Sequence, residues 1–425
     1  MKKIFVSFFV LFFLTLSLAI SARTRSNTEI MIQVFGWKLK NAGSPGNWYN
    51  LIAEHAEELG KMGFTLAWFP PPSRSVDDPG YLPGDYYDLG TQQNPTFYGT
   101  ADQLKATLDK MNKAGIKPLA DAVLNHRCAG KQDCSGLWNQ FIFPSGKAAW
   151  NQSAIVKGEF GGTGNPDTGD NFEAAPDIDH TNPNIQQDII AYLNWLKTLG
   201  FVGWRYDFAK GYAPKFVTIF DKGTDSQFSV AEVFTNMAYD QSKPQYNQDA
   251  HRQVLCDYLN GAAGNVTVFD VTTKGILQEA VKGEYWRLRD QQGKAPGLIG
   301  WNPQRAVTFI DNHDTGSQQN LWPFPADKVC QGYAYIMTHP GIPCVLWEHI
   351  YDWKLMETIK TLMAIRQNYG IKADSSLRIE KADQGLYAAF IDEKIAIKLG
   401  SADWCPDSSF KLLTSGDQYA IWGKK

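Results

Sequence analysis

The stretch 185-IQQDIIAYLNWLKTLGFVGWRYD-207 decides the fold, because it joins two kinds of element with almost nothing between them. The segment Ile185–Leu199 has the apolar spacing of a helix, and a glycine follows it. The segment Val202–Tyr206 is then predicted to be a short, buried strand. A helix that leads directly into such a strand is typical of folds built on a parallel sheet.

The same alternation extends over most of the chain. The predicted strands are Met31–Phe35, Thr65–Phe69, Ile116–Leu124, Val202–Tyr206, Phe228–Ala231, Val266–Val271, Ala306–Ile310 and Pro343–Trp347. The predicted helices are Trp48–Met62, Ala101–Asn112, Ile185–Leu199, Lys215–Phe220, Gln248–Leu259, Thr273–Val281, Asp327–Met337 and Tyr351–Asn368. Eight alternations of this kind predict an α/β fold, the closed parallel (β/α)8 or TIM barrel.

Two segments depart from the alternation. About fifty residues after the third strand are rich in Gly, Asn, Asp and Pro, and a loop of that length is usually functional or a subdomain. The tail contains five short predicted strands separated by turns, which indicates a small antiparallel β domain. We therefore predict a catalytic barrel over residues 27–126 and 178–370, an inserted loop domain over 127–177, and a C-terminal antiparallel β domain over 371–425.

The net charge and the N-terminal sequence indicate which classes of binding partner to expect. The chain has 425 residues, and its net charge of −3 argues against nucleic acid or an anionic membrane as the main partner. Lys2 and Lys3 precede the apolar run Ile4–Ile20 and two small residues, which predicts a signal peptide over residues 1–22. A membrane anchor is the alternative for this segment. We expect a secreted monomer that has no membrane partner once the signal is cleaved.

In a secreted protein, cysteines can form disulfides and asparagines can be N-glycosylated. Cys128 and Cys134 close a short polar loop and could form a disulfide, whereas the other four cysteines allow three pairings or none. Asn151 and Asn265 begin acceptor sequences for N-glycosylation.

Polar residues follow the predicted strands where a barrel places its active site, at the C-terminal strand ends. They are Asn125, His126, Arg205, Asp207, Glu232, Asn312, His313 and Asp314. A single carboxylate there could be an ion-pair partner or a helix cap. Three carboxylates in one mouth repel one another, so at least one should have a raised pKa. A protonated acid beside an ionised nucleophile is what glycosidic cleavage needs.

With these residues the chain resembles the α-amylase family of glycoside hydrolases, most closely its plant-type members. The motifs are Asp121-Ala-Val-Leu-Asn-His126, Gly203-Trp-Arg-Tyr-Asp207, Val230-Ala-Glu-Val-Phe234 and Phe309-Ile-Asp-Asn-His-Asp314. Three further segments, Gly80–Gly84, Asn165–Gly169 and Pro176–His180, match as well. The resemblance extends from about Ile30 to the C-terminus, and the order and spacing of its motifs fit throughout.

The resemblance implies an endo-acting, retaining hydrolase of α-1,4-linked glucans such as starch, glycogen and malto-oligosaccharides. It implies that Asp207 is the nucleophile, that Glu232 is the general acid and then the base, and that Asp314 binds sugar hydroxyls. Arg205 lies two positions from Asp207, on the same side of the strand, and should keep it ionised, whereas burial should raise the pKa of Glu232. The remaining sugar-binding residues implied by the family are Tyr81, His126, Lys210, Phe234 and His313. Asp121 we expect to be structural and to face the barrel interior.

The family also implies a calcium ion. Hard cations prefer carboxylate and carbonyl oxygens, and the predicted ligands are Asn125, Asp167 and Asp177, with the main-chain carbonyls of Asp170 and Gly211. Asn171 stands where an acidic ligand for a further calcium is usual, and the segment Cys128–Gly161 lacks the usual acidic cluster. We therefore expect fewer calcium ions than in cereal enzymes.

Two other functions share this sequence pattern. One is a transglycosidase or an oligosaccharide-specific hydrolase on the same barrel, which would keep the same three carboxylates. The other is a non-catalytic glucan-binding protein, which would usually lose one of them. Asp207, Glu232 and Asp314 are all present, so the pattern favours an enzyme.

Overall fold

The computed structural model describes residues 27–37, 46–264 and 266–425. The predicted signal peptide and the acceptor residue Asn265 lie outside these ranges. Within them, no helix combines the length and apolar character needed to cross a lipid bilayer.

Eight parallel strands close into a barrel, as predicted. They are β1 (Met31–Gln33), β2 (Leu66–Trp68), β3 (Lys117–Ala122), β4 (Gly203–Tyr206), β5 (Ser229–Ala231), β6 (Thr267–Phe269), β7 (Ala306–Thr308) and β8 (Ile342–Leu346). Each strand pairs with its neighbours in chain order, and β8 pairs with β1 to close the ring. Their side chains are almost entirely buried, since helices cover the outside of the barrel and side chains fill its interior.

Nine α-helices are described, and local chemistry fixes several of their ends. They are α1 (Trp48–Met62), α2 (Ala101–Lys113), α3 (Pro183–Leu199), α4 (Lys215–Thr224), α5 (Asp249–Gly261), α6 (Val271–Ala280), α7 (Val329–Thr338), α8 (Trp347–Tyr351) and α9 (Met356–Asn368). Thr100 and Gln103 form a reciprocal capping box at the start of α2. The side chain of Asp270 caps α6 by accepting the Thr273 N–H. Gly63, in the left-handed conformation, ends α1.

The end of the barrel differs from the prediction of one helix over Tyr351–Asn368. The structure has two helices there, α8 and α9, and the predicted strand residue Trp347 belongs to α8. The break falls at Lys354, which has a φ of +58°, outside the range of a right-handed helix. Periodicity missed this break because apolar residues continue through it.

The inserted segment after β3 and the C-terminal tail, which do not follow the strand–helix alternation, each form a separate structure. Between β3 and β4, a short hairpin (Lys131–Gln132 with Trp138–Gln140) precedes irregular chain that returns to the barrel through the bridge between His126 and Asp177. The C-terminal strands are β9 (Leu377–Asp383), β10 (Leu386–Ile391), β11 (Ile395–Leu399), β12 (Phe410–Gly416) and β13 (Tyr419–Lys424). They form one antiparallel sheet in the order β9-β10-β11-β13-β12. The imidazole of His339 lies 2.8 Å from the Tyr387 hydroxyl and joins this sheet to the barrel.

All six cysteines are unpaired in the structure, so the disulfide considered for Cys128 and Cys134 does not form. The two residues belong to different local structures. The Cys128 amide donates to the Pro83 carbonyl beside the barrel, whereas Cys134 is exposed in a turn that the Asp133 side chain stabilises.

Candidate active site

Strand register brings the central residues together. Arg205 on β4 pairs with Asp121 on β3 and with Val230 on β5. One position further along, Tyr206 pairs with Ala231, so Asp207 and Glu232 emerge side by side at the C-terminal ends of adjacent strands. Residues at this end of a barrel form its active site.

One guanidinium contacts all three surrounding carboxylates. Arg205 Nη1 lies 2.7 Å from Asp207 Oδ1 and 2.8 Å from Asp121 Oδ1, and Arg205 Nη2 lies 2.7 Å from Glu232 Oε1. The contact with Asp207 was predicted, and the one with Glu232 was not. Arg205 is only 1% exposed and lies beneath the carboxylates. It does not line the cleft, although the sequence analysis placed it among the residues of the site mouth.

Asp121 faces the barrel interior, where it also accepts hydrogen bonds from Trp68 Nε1 (3.0 Å) and from the Tyr81 hydroxyl (2.9 Å). Burial raises its pKa to about 6, and the Arg205 charge opposes that rise. Its environment supports the structural role expected for it, which is to orient Arg205 and Tyr81.

Burial also dominates at Asp207. It raises the pKa of this carboxyl well above its usual range; Arg205 lowers it, and the charges of Glu232 and Asp121 raise it further. We had expected Arg205 to keep Asp207 ionised, but its single charge is shared among three acids. Because these acids interact strongly, their protons belong to the group and not to one residue. The arrangement can therefore hold an ionised carboxylate and a proton donor next to each other.

The chain turns sharply after Asp207. Phe208 has a φ of +40°, a conformation that a bulky residue seldom adopts, and strain of this kind concentrates at functional sites. The turn directs the Phe208 N–H to Glu232 Oε2, at 3.0 Å. It therefore fixes the second oxygen of Glu232, while Arg205 fixes the first.

The carboxylates open into a cleft of about 630 Å³. The predicted residues that line it are Tyr81, His126, Asp207, Lys210, Glu232, Phe234, His313 and Asp314. The other lining residues are Trp37, Asp77, Leu82, Phe172, Ala174, Phe208, Thr315, Leu321 and Trp322. Apolar walls with a few convergent polar groups are typical of small-molecule and sugar sites.

Aromatic rings form part of the cleft wall. Trp37, Tyr81 and His313 are nearly parallel, with ring centroids 5.2 to 6.0 Å apart. On the other side, His126 stacks on Phe172 at 3.7 Å. Burial lowers the pKa of His126 to about 4 and that of His313 to about 3, so both are neutral at physiological pH and can donate or accept hydrogen bonds.

An acidic cluster of Glu159, Asp167 and Asp177 lies beside the cleft, with carboxylate oxygens within 4.8 Å of one another. Burial raises the pKa of Asp177 to about 8, and the charges of Glu159 and Asp167 add to the effect. Asn125 donates its side-chain amide to Asp177 at 2.7 Å. Among the described residues, Asn125 Oδ1 and Asp167 Oδ2 are buried without a hydrogen-bond partner. Carboxylates that repel one another, beside two buried oxygens that lack donors, fit a hard cation.

The two predicted carbonyl ligands lie on neighbouring loops. A Cβ on Gly211 would lie 2.1 Å from Asn125 Oδ1, so glycine is required for this approach. The Asp170 amide donates to the Lys210 carbonyl at 3.0 Å, and the Asp170 carboxylate pairs with Lys210 Nζ at 3.2 Å. The Asp170 side chain therefore faces Lys210. The main-chain carbonyl of Asp170 is the group that could act as a ligand for a cation.

Comparisons with known proteins agree with this geometry. Residues 368–423 match the family described as alpha-amylase C-terminal beta-sheet domain. "Probable alpha-amylase 2" of Arabidopsis thaliana is 43% identical over 404 residues, which cover 94% of this chain and 95% of that protein. The chain belongs to the α-amylase family. It is therefore an enzyme of the glycoside hydrolase class and, as the sequence indicated, resembles plant members of this family.

Two further similarities agree with the family. "Alpha-amylase 3, chloroplastic" of Arabidopsis thaliana is 43% identical over 410 residues, which cover 95% of this chain but only 45% of that protein. The crystal structure of an α-amylase from Geobacillus thermoleovorans, complexed with acarbose, superposes with a TM-score of 0.65 at 15% identity. It covers 94% of this chain and 99% of that one and supports the barrel fold.

Sequence reasoning missed several residues of this α-amylase-family site. Trp37 follows β1 at the catalytic end, so the rule that found the acids could have found it too. Glu159 lies in the segment judged to lack an acidic cluster, yet its side chain accepts the Asp177 N–H at 3.2 Å. No local signal marks Glu159, because only the return of the chain to the barrel brings it there.

Proposed function

We propose that the protein hydrolyses internal α-1,4-glucosidic bonds of starch, glycogen and malto-oligosaccharides, with retention of anomeric configuration. The observation that carries the proposal is the pair Asp207 and Glu232, held side by side by the guanidinium of Arg205 at the floor of an open cleft. Retaining glycosidases need two carboxyl groups about 5–5.5 Å apart, whereas inverting ones leave room for a water between them.

In the proposed reaction, an Asp207 oxygen attacks the anomeric carbon as Glu232 donates its proton to the departing glycosidic oxygen. The bond to the leaving sugar breaks, and a glycosyl ester forms on Asp207. Glu232, now ionised, takes a proton from water, whose oxygen attacks the same carbon and releases Asp207. Formation and hydrolysis of the glycosyl ester each invert the anomeric carbon once, and the two inversions together give retention.

The other cleft residues bind the substrate in this proposal. Asp314 accepts hydrogen bonds from sugar hydroxyls and helps to distort the ring at the cleavage site. The neutral imidazoles of His126 and His313 hydrogen-bond the same sugar, and Tyr81 stacks on it. Lys210 and Phe234 contact the leaving part of the glucan.

Digestion of amylose tests the activity and separates the alternatives. An endo-hydrolase lowers the viscosity of the solution early and releases a range of malto-oligosaccharides. A single short product would indicate an exo-acting enzyme. Two relatives named glucan 1,4-alpha-maltotetraohydrolase are 30% and 29% identical to this chain, which makes that outcome a specific alternative. Products longer than the substrate would indicate a transglycosidase, and binding without products would contradict an enzymatic function.

We infer that the acidic cluster binds Ca²⁺. Its residues fit the ion, because Asn125 and Asp167 present buried oxygens without donors and Asp177 lies among repelling charges. Asn125, Asp167, Asp177 and the carbonyls of Asp170 and Gly211 would hold the ion, and Glu159 would join them. A bound cation would neutralise the cluster and stabilise the inserted segment against the barrel.

We further propose the domain division and location that the sequence indicated. The division is a catalytic barrel over residues 27–126 and 178–370, an inserted calcium-binding domain over 127–177 and a C-terminal domain over 371–425. Residues 1–22 act as a cleaved export signal, and the mature protein is a secreted monomer. One relative is named chloroplastic, so amino-terminal sequencing and localisation of the mature protein must separate export from plastid targeting.

A further inference from the structure

Helix α6, beneath the cleft, carries a fully buried lysine. Lys274 has 0% of its side chain exposed, and its Nζ donates to the Trp322 carbonyl at 2.7 Å and contacts the Gln278 side chain. It also lies 3.6 Å from Asp311 Oδ1. Burial of an ammonium group costs folding free energy unless the group is paired and hydrogen-bonded. The contacts of Lys274 therefore offset the cost of its burial.

Its ion-pair partner, Asp311, holds both ends of one loop. Residues 311–324 lead from β7 and include Asp314. Asp311 Oδ1 accepts hydrogen bonds from Thr315 Oγ1 (3.0 Å), near the start of the loop, and from the Phe324 N–H (3.1 Å), at its end. A Cβ on Gly316 would lie 2.8 Å from Asp311 Cγ, so the loop wraps tightly around this carboxylate.

The same lysine also fixes the far side of the loop. Lys274 Nζ lies 4.5 Å from the ring centroid of Trp322, which is within cation–π distance. A Cβ on the neighbouring Gly275 would lie 2.6 Å from Trp322 Cη2, so the indole rests directly on the helix backbone. Trp322 and Asp314 both line the cleft, whereas Lys274 and Asp311 do not.

We propose that Lys274 and Asp311 are positioning residues of the active site. Their buried ion pair joins α6 to loop 311–324 and holds Asp314 and Trp322 at the cleft wall. The inference rests on the proposed function, because it assigns these residues a part in glucan hydrolysis. A purely structural ion pair would affect only the stability of the fold.

The test compares Lys274→Met, Asp311→Asn and the double variant. kcat and KM are measured on a malto-oligosaccharide of defined length, well below each unfolding midpoint, together with hydrogen exchange over residues 311–324. We expect both single variants to lose about 10- to 100-fold in kcat/KM, since small displacements of reacting groups have effects of this size. Exchange in the loop should rise, while exchange in the barrel strands should not.

The double variant separates positioning from folding. It contains no lone buried charge, so its unfolding midpoint should recover toward that of the wild type. Its kinetic defect should persist, because the loop is still released. Recovery of kcat/KM together with stability would overturn the proposal, and so would wild-type kinetics in the folded single variants.

A matched control is the buried ion pair of Arg252 and Asp290, at 2.7 Å, neither of which lines the cleft. Asp290→Asn should lower stability without changing kcat or KM. If the single variants do not fold, Thr315→Val removes a hydroxyl that donates to Asp311 Oδ1 (3.0 Å) and accepts the Asn312 N–H (3.0 Å), and it should still raise hydrogen exchange in the loop; unchanged exchange there would contradict the proposal. Absence of glucan hydrolysis in the wild type would refute the proposed function separately, since loop exchange is measured without substrate.

Discussion

Arg205 Nη2 lies 2.7 Å from Glu232 Oε1, so the arginine next to the candidate nucleophile also holds the candidate acid. Nη1 of the same guanidinium contacts Asp207, whose pKa is raised by the charge of the neighbouring Glu232, so the protonation of Asp207 depends on its neighbours. The pH profile of the enzyme should therefore report two macroscopic values for the group.

Replacement of Arg205 tests this shared contact. Arg205→Met leaves three buried carboxylates without their cation, and loss of one partner from a buried ion pair costs about 3–5 kcal/mol of folding free energy. Activity should fall at least about 100-fold, because the pair also loses its orientation. Arg205→Lys should recover part of the stability but little activity, since an ammonium lacks the rigid, planar arrangement of donors with which the guanidinium orients the carboxylates. Denaturant unfolding and steady-state kinetics measure both.

Arg366 provides the matched control for Arg205. It is equally buried, and its guanidinium donates to the carbonyls of Met337, His339 and Gly341, away from the cleft. Arg366→Met should lower stability while the folded protein keeps wild-type kcat and KM. Equal kinetic losses in both variants would contradict a specific role for Arg205.

Calcium removal should have an effect that depends on pH. In the metal-free protein the pKa of Asp177 is raised to about 8, against about 3.9 in an unfolded chain. The folded state then binds a proton more tightly, so stability falls as the pH rises from about 4 to about 8. Calcium requires the ionised carboxylate and binds better over the same range. Chelation should therefore lower the melting temperature more at pH 8 than at pH 5.

Two variants examine the calcium prediction. Asp177→Asn should weaken both the calcium effect and its pH dependence. Asp179→Asn alters a neighbouring buried carboxylate that is not in the acidic cluster, and it should leave both intact. Elemental analysis that finds no calcium in active protein would refute the site.

Stereochemistry gives a further prediction. If Asp207 forms a covalent glycosyl ester, the first product released from a malto-oligosaccharide should be the α-anomer. Proton NMR in the first minutes, before mutarotation, distinguishes the anomers. Early appearance of the β-anomer would indicate inversion.

The sequence was sufficient for those parts of the molecule that repeat or that follow a strand. Each barrel strand and the C-terminal sheet were predicted from short apolar runs, and strand ends located Asp207, Glu232 and Asp314. Such features depend on residues close together in the chain. The break at Lys354 was missed, because a single backbone conformation leaves no periodic signal.

Contacts between segments that are far apart in the sequence could not be predicted from such local patterns. The contact of Arg205 with Glu232 depends on the register of β4 and β5, and Glu159 reaches Asp177 only because the inserted segment folds back. The pKa of Asp207 depends on burial, which no local pattern measures. The sequence identified the charged groups near Asp207, but it could not show whether burial or the Arg205 charge has the larger effect on the pKa of Asp207.

The most direct test of the proposed mechanism is a single-turnover assay with α-maltosyl fluoride. Fluoride is a good leaving group that needs little protonation, so it bypasses the general acid but not the nucleophile. Glu232→Gln should still release fluoride in the first turnover, whereas Asp207→Asn should release almost none. Rapid fluoride release by Asp207→Asn, with none from Glu232→Gln, would show that the two roles are reversed and would contradict the mechanism.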